Sequence, residues 1–145
     1  MKIPRLTHLN PSGIAQMVDV SHKSNTLRKA EAVGSILLGK EAFGLVKENK
    51  IKKGDVLSVA NIAGIQGAKN TALLIPLCHQ LNINKINLDF VLNDRDFSIK
   101  VISSVSCLGN TGVEMEAITA VTVACTTIYD MCKVLLKLKR ELIEI

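Results

Sequence analysis

The chain has no tryptophan, a single tyrosine and three phenylalanines. Stacking platforms for single-stranded nucleic acid would have to be built from very little, so no nucleic-acid partner is expected. Paired cysteines are lacking too: Cys78, Cys107, Cys125 and Cys132 are widely spaced, with no CxxC and no matching histidine cluster. Neither a zinc site nor a small disulfide framework is indicated, and the four are expected to be reduced, mostly buried thiols. No uninterrupted run of about 18 apolar residues reads as a membrane span, and residues 1–10 have no hydrophobic signal core. A soluble, intracellular protein with no membrane partner is the expectation. Also absent are a Walker loop, GxGxxG, HExxH and a nucleophile elbow, so any chemistry must come from a constellation assembled by the fold.

What is present is one domain's worth of chain, 145 residues of which 48% are hydrophobic, enough to bury a substantial core. The formal charge of +5 suits an anionic ligand without saying which. Residues 1–26 carry Pro4, Pro11, Gly13 and Asn25 with little periodicity, an irregular arm. From Arg28 to Leu38 an imperfect alternation predicts a strand, and Lys40 to Asn49 a short helix. Asp55 reads as the N-cap of a long helix from Val56 to Leu74, which Pro76 stops. On that helix Ala60, Gly64 and Ala68 fall four apart, a small-residue stripe suited to close helix packing.

Ile86, Leu88, Phe90 and Leu92 alternate with Asn87, Asp89 and Val91, and a second alternating run from Phe97 to Cys107 follows the turn-like Asn93-Asp94-Arg95-Asp96. Together they predict a hairpin. Val113 to Lys137 reads as a second long helix, uncharged from Ala117 to Tyr129, and therefore buried nearly all round in the core or against another subunit. Glu141–Ile145 has the composition of a strand. The order of elements predicts an α+β fold, an antiparallel sheet with two long helices on one face.

Asp130 and Lys133, three apart at the end of an uncharged stretch, project from one helical face with geometry for an ion pair; a solvent-facing pair is the plain alternative. Glu114 and Glu116 open the same helix, where carboxylates suit the positive end of its dipole. Glu116 and Asp130 would lie roughly 20 Å apart at about 1.5 Å per residue. One pocket can use both only if a symmetric neighbour supplies one of them. His79 follows Pro76 in a loop that can present an imidazole, and Lys52 and Lys53 precede Gly54-Asp55, a natural place to meet phosphate or to move a proton. The residues by themselves point to a cationic pocket built by an oligomer and suited to acid/base work on a phosphorylated small molecule.

Four blocks carry a family resemblance: Met17-Val18-Asp19-Val20-Ser21; Lys53-Gly54-Asp55 with Ile62-Ala63-Gly64-Ile65; Leu74-Ile75-Pro76-Leu77-Cys78-His79; and Thr111-Gly112-Val113-Glu114-Met115-Glu116-Ala117, continued by Thr127-Ile128-Tyr129-Asp130-Met131-Cys132-Lys133. In this order the chain resembles the cyclic pyranopterin monophosphate synthases, the molybdenum cofactor biosynthesis protein C family. The resemblance implies a ferredoxin-like fold assembled as a homohexamer, a trimer of dimers with sites at subunit interfaces. It implies a lyase that converts (8S)-3',8-cyclo-7,8-dihydroguanosine 5'-triphosphate, a GTP-derived substrate, to the cyclic pterin with release of pyrophosphate. No resident cofactor is implied, and Mg²⁺ would accompany the substrate phosphates. The implied location is cytoplasmic, or the mitochondrial matrix in a eukaryote.

Position by position, Asp130 matches the family's active-site acid, and Lys53 and Lys133 match lysines that support proton transfer and handle phosphate. Leu77, Cys78, His79, Met115 and Glu116 match substrate-contacting positions, and Arg28 and Glu114 match further pocket residues. Gln80 stands where a proline is usual and Asn110 where a lysine often precedes Thr-Gly. The family's further strand and Gly/Ser/Lys-rich tail are absent beyond Ile145, within a single domain spanning 1–145. The alternative expectation is therefore a weakened or inactive substrate-binding or scaffold form.

Overall fold

The computed structural model describes residues 9–136. The expected strand at Glu141–Ile145 lies outside them. After an arm that carries, among the described residues, a bridge between Leu9 and Ala15, strand β1 (Thr26–Leu37) leads through Leu38 into helix α1 (Gly39–Lys47), which buries Ala42, Phe43 and Val46. A turn with Gly54 at φ 107° sets up helix α2 (Val56–Lys69), where the Asp55 carboxylate accepts the Ser58 N–H at 3.0 Å as the expected N-cap.

The long helix expected to reach Leu74 is instead broken at Asn70, and a separate turn, α3 (Thr71–Leu74), follows. At the break Asn70 donates from Nδ2 to the Gln66 carbonyl at 3.0 Å, its own N–H is shared between the Gln66 and Gly67 carbonyls, and the Thr71 hydroxyl reaches the Gly67 and Ala68 carbonyls. The carbonyls at the end of α2 are thereby satisfied.

Strands β2 (Ile83–Asn93) and β3 (Ser98–Gly109) form the expected hairpin, and the sheet runs β1-β3-β2, antiparallel throughout. Phe97 belongs to the turn and not to the strand. Its φ is 56°, its carbonyl takes the Leu38 N–H, and its ring packs edge-on against Phe43 at 5.9 Å. Alternation assigns the faces: Ile36, Leu88, Ile99, Val101 and Val105 turn to the helices and are buried, while Leu27, Lys29, Val33, Lys100 and Leu108 stand exposed on the other face.

The last described helix, α4 (Glu114–Leu136), packs on β1 and β3 and alongside α2, which itself meets β2 on the same face of the sheet. The small-residue stripe does what its spacing implied. Ala60 and Ala68 are buried, and Gly64 sits so close that a Cβ there would lie 3.0 Å from the Ala120 carbonyl and 2.5 Å from a Leu88 methyl. Backbone on one side leaves no room to relax, so Gly64→Val should cost about 2–3 kcal/mol or more, read as a lower urea midpoint at unchanged slope.

The helix α4 is not buried all round. Ala117, Ala120, Ala124, Cys125, Ile128 and Cys132 are buried, whereas Ile118, Thr122, Thr126, Asp130 and Val134 form an exposed row at four-residue spacing. Absence of charge does not specify burial on every side, because threonine can face out. Hydroxyls of Thr119, Thr122, Thr126 and Thr127 each donate to the carbonyl four residues back, which lets a helix carry so many of them. By length and composition α4 could also cross a membrane, contrary to the expectation that nothing in the chain qualifies. Threonines had interrupted the apolar run without lowering its mean hydropathy enough. The packed face on the sheet and α2 accounts for the apolar composition.

Candidate active site

Lys53, from the turn between α1 and α2, reaches across to the C-terminal part of α4. Its Nζ donates to the Asp130 carbonyl at 2.7 Å and to Asp130 Oδ2 at 3.3 Å, while Lys133 Nζ donates to Oδ1 at 2.5 Å. The i, i+3 spacing thus makes its ion pair, and the turn at Gly54 brings a second ammonium that local spacing could not show. Asp130 is held below the usual carboxylate value, first by the Lys133 hydrogen bond and then by Lys53. Lys133 is correspondingly raised by Asp130. All three side chains are about half exposed. An ionised carboxylate between two ammoniums can accept a proton, and the ammoniums can bind phosphate or return protons.

A second group gathers at the other end of α4. Glu116 is only 4% exposed, and burial raises its carboxyl, with Glu114 adding repulsion. Glu114 lies over Gly112, where any side chain would collide with the carboxylate. Cys78 and Cys107 are both raised, chiefly by burial and then by the Glu116 charge. Arg28 stands opposite Cys107 in the β1/β3 register and donates from Nε to the Gly109 carbonyl at 3.3 Å. His79 in the loop after α3 meets the Val18 carbonyl at 2.7 Å through Nε2. Leu77 and Met115 are half-buried in the same two segments. A carboxyl raised by burial favours the folded state below its ordinary value, and that advantage fades as pH rises through the raised value. Glu116→Gln should therefore raise the melting temperature at pH 7 and leave it unchanged near pH 4.

The unbroken helix keeps the two groups apart. Asp130 lies fourteen positions after Glu116 within α4, so one chain holds them roughly 20 Å apart at about 1.5 Å per residue. A cavity of about 380 Å³ between the end of α2 and the start of β2 is lined by Ile65, Lys69, Leu81, Asn82 and Lys85 among others, and contains no residue of either group. Among the described residues no cluster of three or more His, Cys, Asp or Glu could hold a metal ion.

A sequence model described as the MoaC family matches residues 17–144. The chain belongs to this family. Its relatives include "Cyclic pyranopterin monophosphate synthase, mitochondrial" of Arabidopsis thaliana, 55% identical over 129 residues, which are 89% of this chain and 48% of that protein. The Salinibacter ruber "Cyclic pyranopterin monophosphate synthase" is 54% identical over 128 residues, 88% of this chain and 75% of its own length. A Drosophila melanogaster relative, "Molybdenum cofactor biosynthesis protein 1", is 49% identical over 129 residues, which are 89% of this chain and 23% of that protein. The chain thus spans about half of the plant relative and three quarters of the bacterial one. These relatives do not favour the weakened scaffold alternative for a MoaC family chain. Sequence reasoning missed Cys107 beside Arg28, and it noted Asn110 only as a departure from the family pattern. Strand register and the course of the arm bring both to the Glu116 group, and neither leaves a local signal.

Proposed function

We propose that this MoaC family chain is a cyclic pyranopterin monophosphate synthase, a lyase acting in molybdenum cofactor biosynthesis on (8S)-3',8-cyclo-7,8-dihydroguanosine 5'-triphosphate and releasing pyrophosphate. The observation that carries the reading is the Lys53–Asp130–Lys133 cluster, a carboxylate placed between two cations by segments 77 residues apart. Ring opening and rebuilding as a pterin need repeated proton transfers, for which Asp130 is the acceptor and Lys53 and Lys133 are donors. The closing step forms a phosphorus–oxygen bond from a substrate hydroxyl to the α-phosphorus and breaks the α–β anhydride, so pyrophosphate leaves with its electron pair. Arg28 and the lysines hold the triphosphate against the nearby carboxylates. Leu77, Cys78, His79, Met115, Glu114 and Glu116 line the substrate side. No resident cofactor is required for these steps, and the substrate phosphates can carry Mg²⁺ with them.

The site is shared between copies in a hexamer, a trimer of dimers, on a ferredoxin-like subunit. The roughly 20 Å gap between the two groups favours this, and so does the apolar surface a lone chain leaves in solvent, with Leu27 76%, Leu73 84%, Ile62 69% and Val134 66% exposed. The working compartment is the cytoplasm in a bacterium or the mitochondrial matrix in a eukaryote, in keeping with the name of the plant relative. Incubating the purified protein with the cyclic triphosphate and reading the products by mass tests the activity. Pterin and pyrophosphate in equal amounts are expected, and unchanged substrate would refute the reading.

A further inference from the structure

Two loops at the Glu116 end hold the same short piece of the N-terminal arm. His79 Nε2 lies 2.7 Å from the Val18 carbonyl, and Asn110 Nδ2 donates to the Val20 carbonyl at 3.0 Å. The second lone pair of that carbonyl takes the Lys23 N–H, closing a turn. Val20 itself is buried, and Asp19 between the two anchors accepts the Ser21 N–H at 2.9 Å, which holds its carboxylate ionised near His22 and His79. The arm is therefore tied at two carbonyls, one by the loop that carries the imidazole and one by the loop that leads into α4.

A carbonyl only accepts, so Nε2 of His79 must carry a hydrogen, and in the neutral ring Nδ1 then holds the lone pair. The amide of Asn110 is the one side-chain donor among the described residues that reaches the Val20 carbonyl. We propose that Asn110 is a positioning residue for His79: by pinning Val20 it holds the Val18 carbonyl against Nε2, fixes the Nε2–H tautomer, and leaves Nδ1 as the atom offered to substrate. The inference rests on the reading of His79 as a substrate contact, but its structural half stands apart from any activity.

The test begins with the intact wild-type protein carrying ¹⁵N-labelled histidine, with His79→Gln used to assign the signals. Long-range proton–nitrogen spectra recorded above the imidazole titration range should show His79 protonated at Nε2 and not at Nδ1. The opposite tautomer would overturn the proposal without any variant. Asn110→Asp has the same size but no N–H donor, and it turns an anionic oxygen toward the Val20 carbonyl. It should move the His79 signals toward a tautomer mixture and lower kcat about tenfold with KM nearly unchanged, whereas Asn110→Gln, which keeps the donor, should recover much of both. An Asn110→Asp protein that melts earlier but keeps its tautomer and its kcat would show a merely structural role and overturn the proposal. If neither wild type nor variants convert the cyclic triphosphate, the lyase reading falls, and the tautomer spectra still decide the clamp.

Discussion

Asp130→Asn should leave a folded protein that assembles normally and releases pyrophosphate at least about 10²–10⁴-fold more slowly than wild type. The substitution is close to isosteric and keeps an oxygen for one of the two ammoniums. What it removes is the negative charge that hydrogen bonds from Lys133 and Lys53 favour by holding the carboxyl below its ordinary value. Without that charge there is no proton acceptor, and the two lysines face each other unneutralised. Because the side chain is 56% exposed, the ion pairs add little to stability and the melting temperature should hardly move. The sign of the pH dependence follows from the same shift. A depressed carboxyl keeps its charge through the neutral range, and both the pairing and the activity it supports fade only as pH falls through the depressed value, below the ordinary 3.8. Pyrophosphate release at the wild-type rate in Asp130→Asn would remove the residue from the chemistry.

The second large effect concerns the gap along α4. If each site takes Asp130 from one copy and Glu116 from another, Asp130→Asn and Glu116→Gln should each be inactive alone. Dissociated, mixed and reassembled, they should recover about a quarter of wild-type turnover, because half the dimers are mixed and each of those rebuilds one intact site of two. Native mass spectrometry of the mixture would establish that mixed assemblies formed. Mixed oligomers with no recovered activity would mean that the two groups serve unconnected places, and the shared cleft would be abandoned.

Much of this site was legible before any coordinates, for reasons that differ from residue to residue. Asp130 and Lys133 stand three apart at the end of an uncharged stretch, so periodicity alone puts them on one face. Ala60, Gly64 and Ala68 announce a close helix contact by spacing, and α4 is the partner they meet. Asp55 announces a helix start, and its carboxylate takes the Ser58 N–H as expected. Where local reading failed, a short side chain had a choice that pattern does not record. Asn70 and Thr71 turn their polar ends onto the carbonyls where α2 stops short of Leu74, and within one chain Thr122 and Thr126 of α4 face out, on a stretch whose lack of charge suggested burial nearly all round in the core or against another subunit.

By itself the sequence determined the type and order of the strands and long helices, the small-residue face of α2, the family to which the chain belongs, and the identity of the groups able to move protons or hold phosphate. These are properties of spacing and side-chain chemistry within a few turns or one strand. Only the tertiary structure decided that Lys53 joins Asp130, that Arg28 stands against Cys107, and that the arm ties itself to His79 and Asn110. Those contacts join segments tens of residues apart in the chain. They depend on where the sheet register and the turn at Gly54 deliver the backbone, which no local pattern encodes.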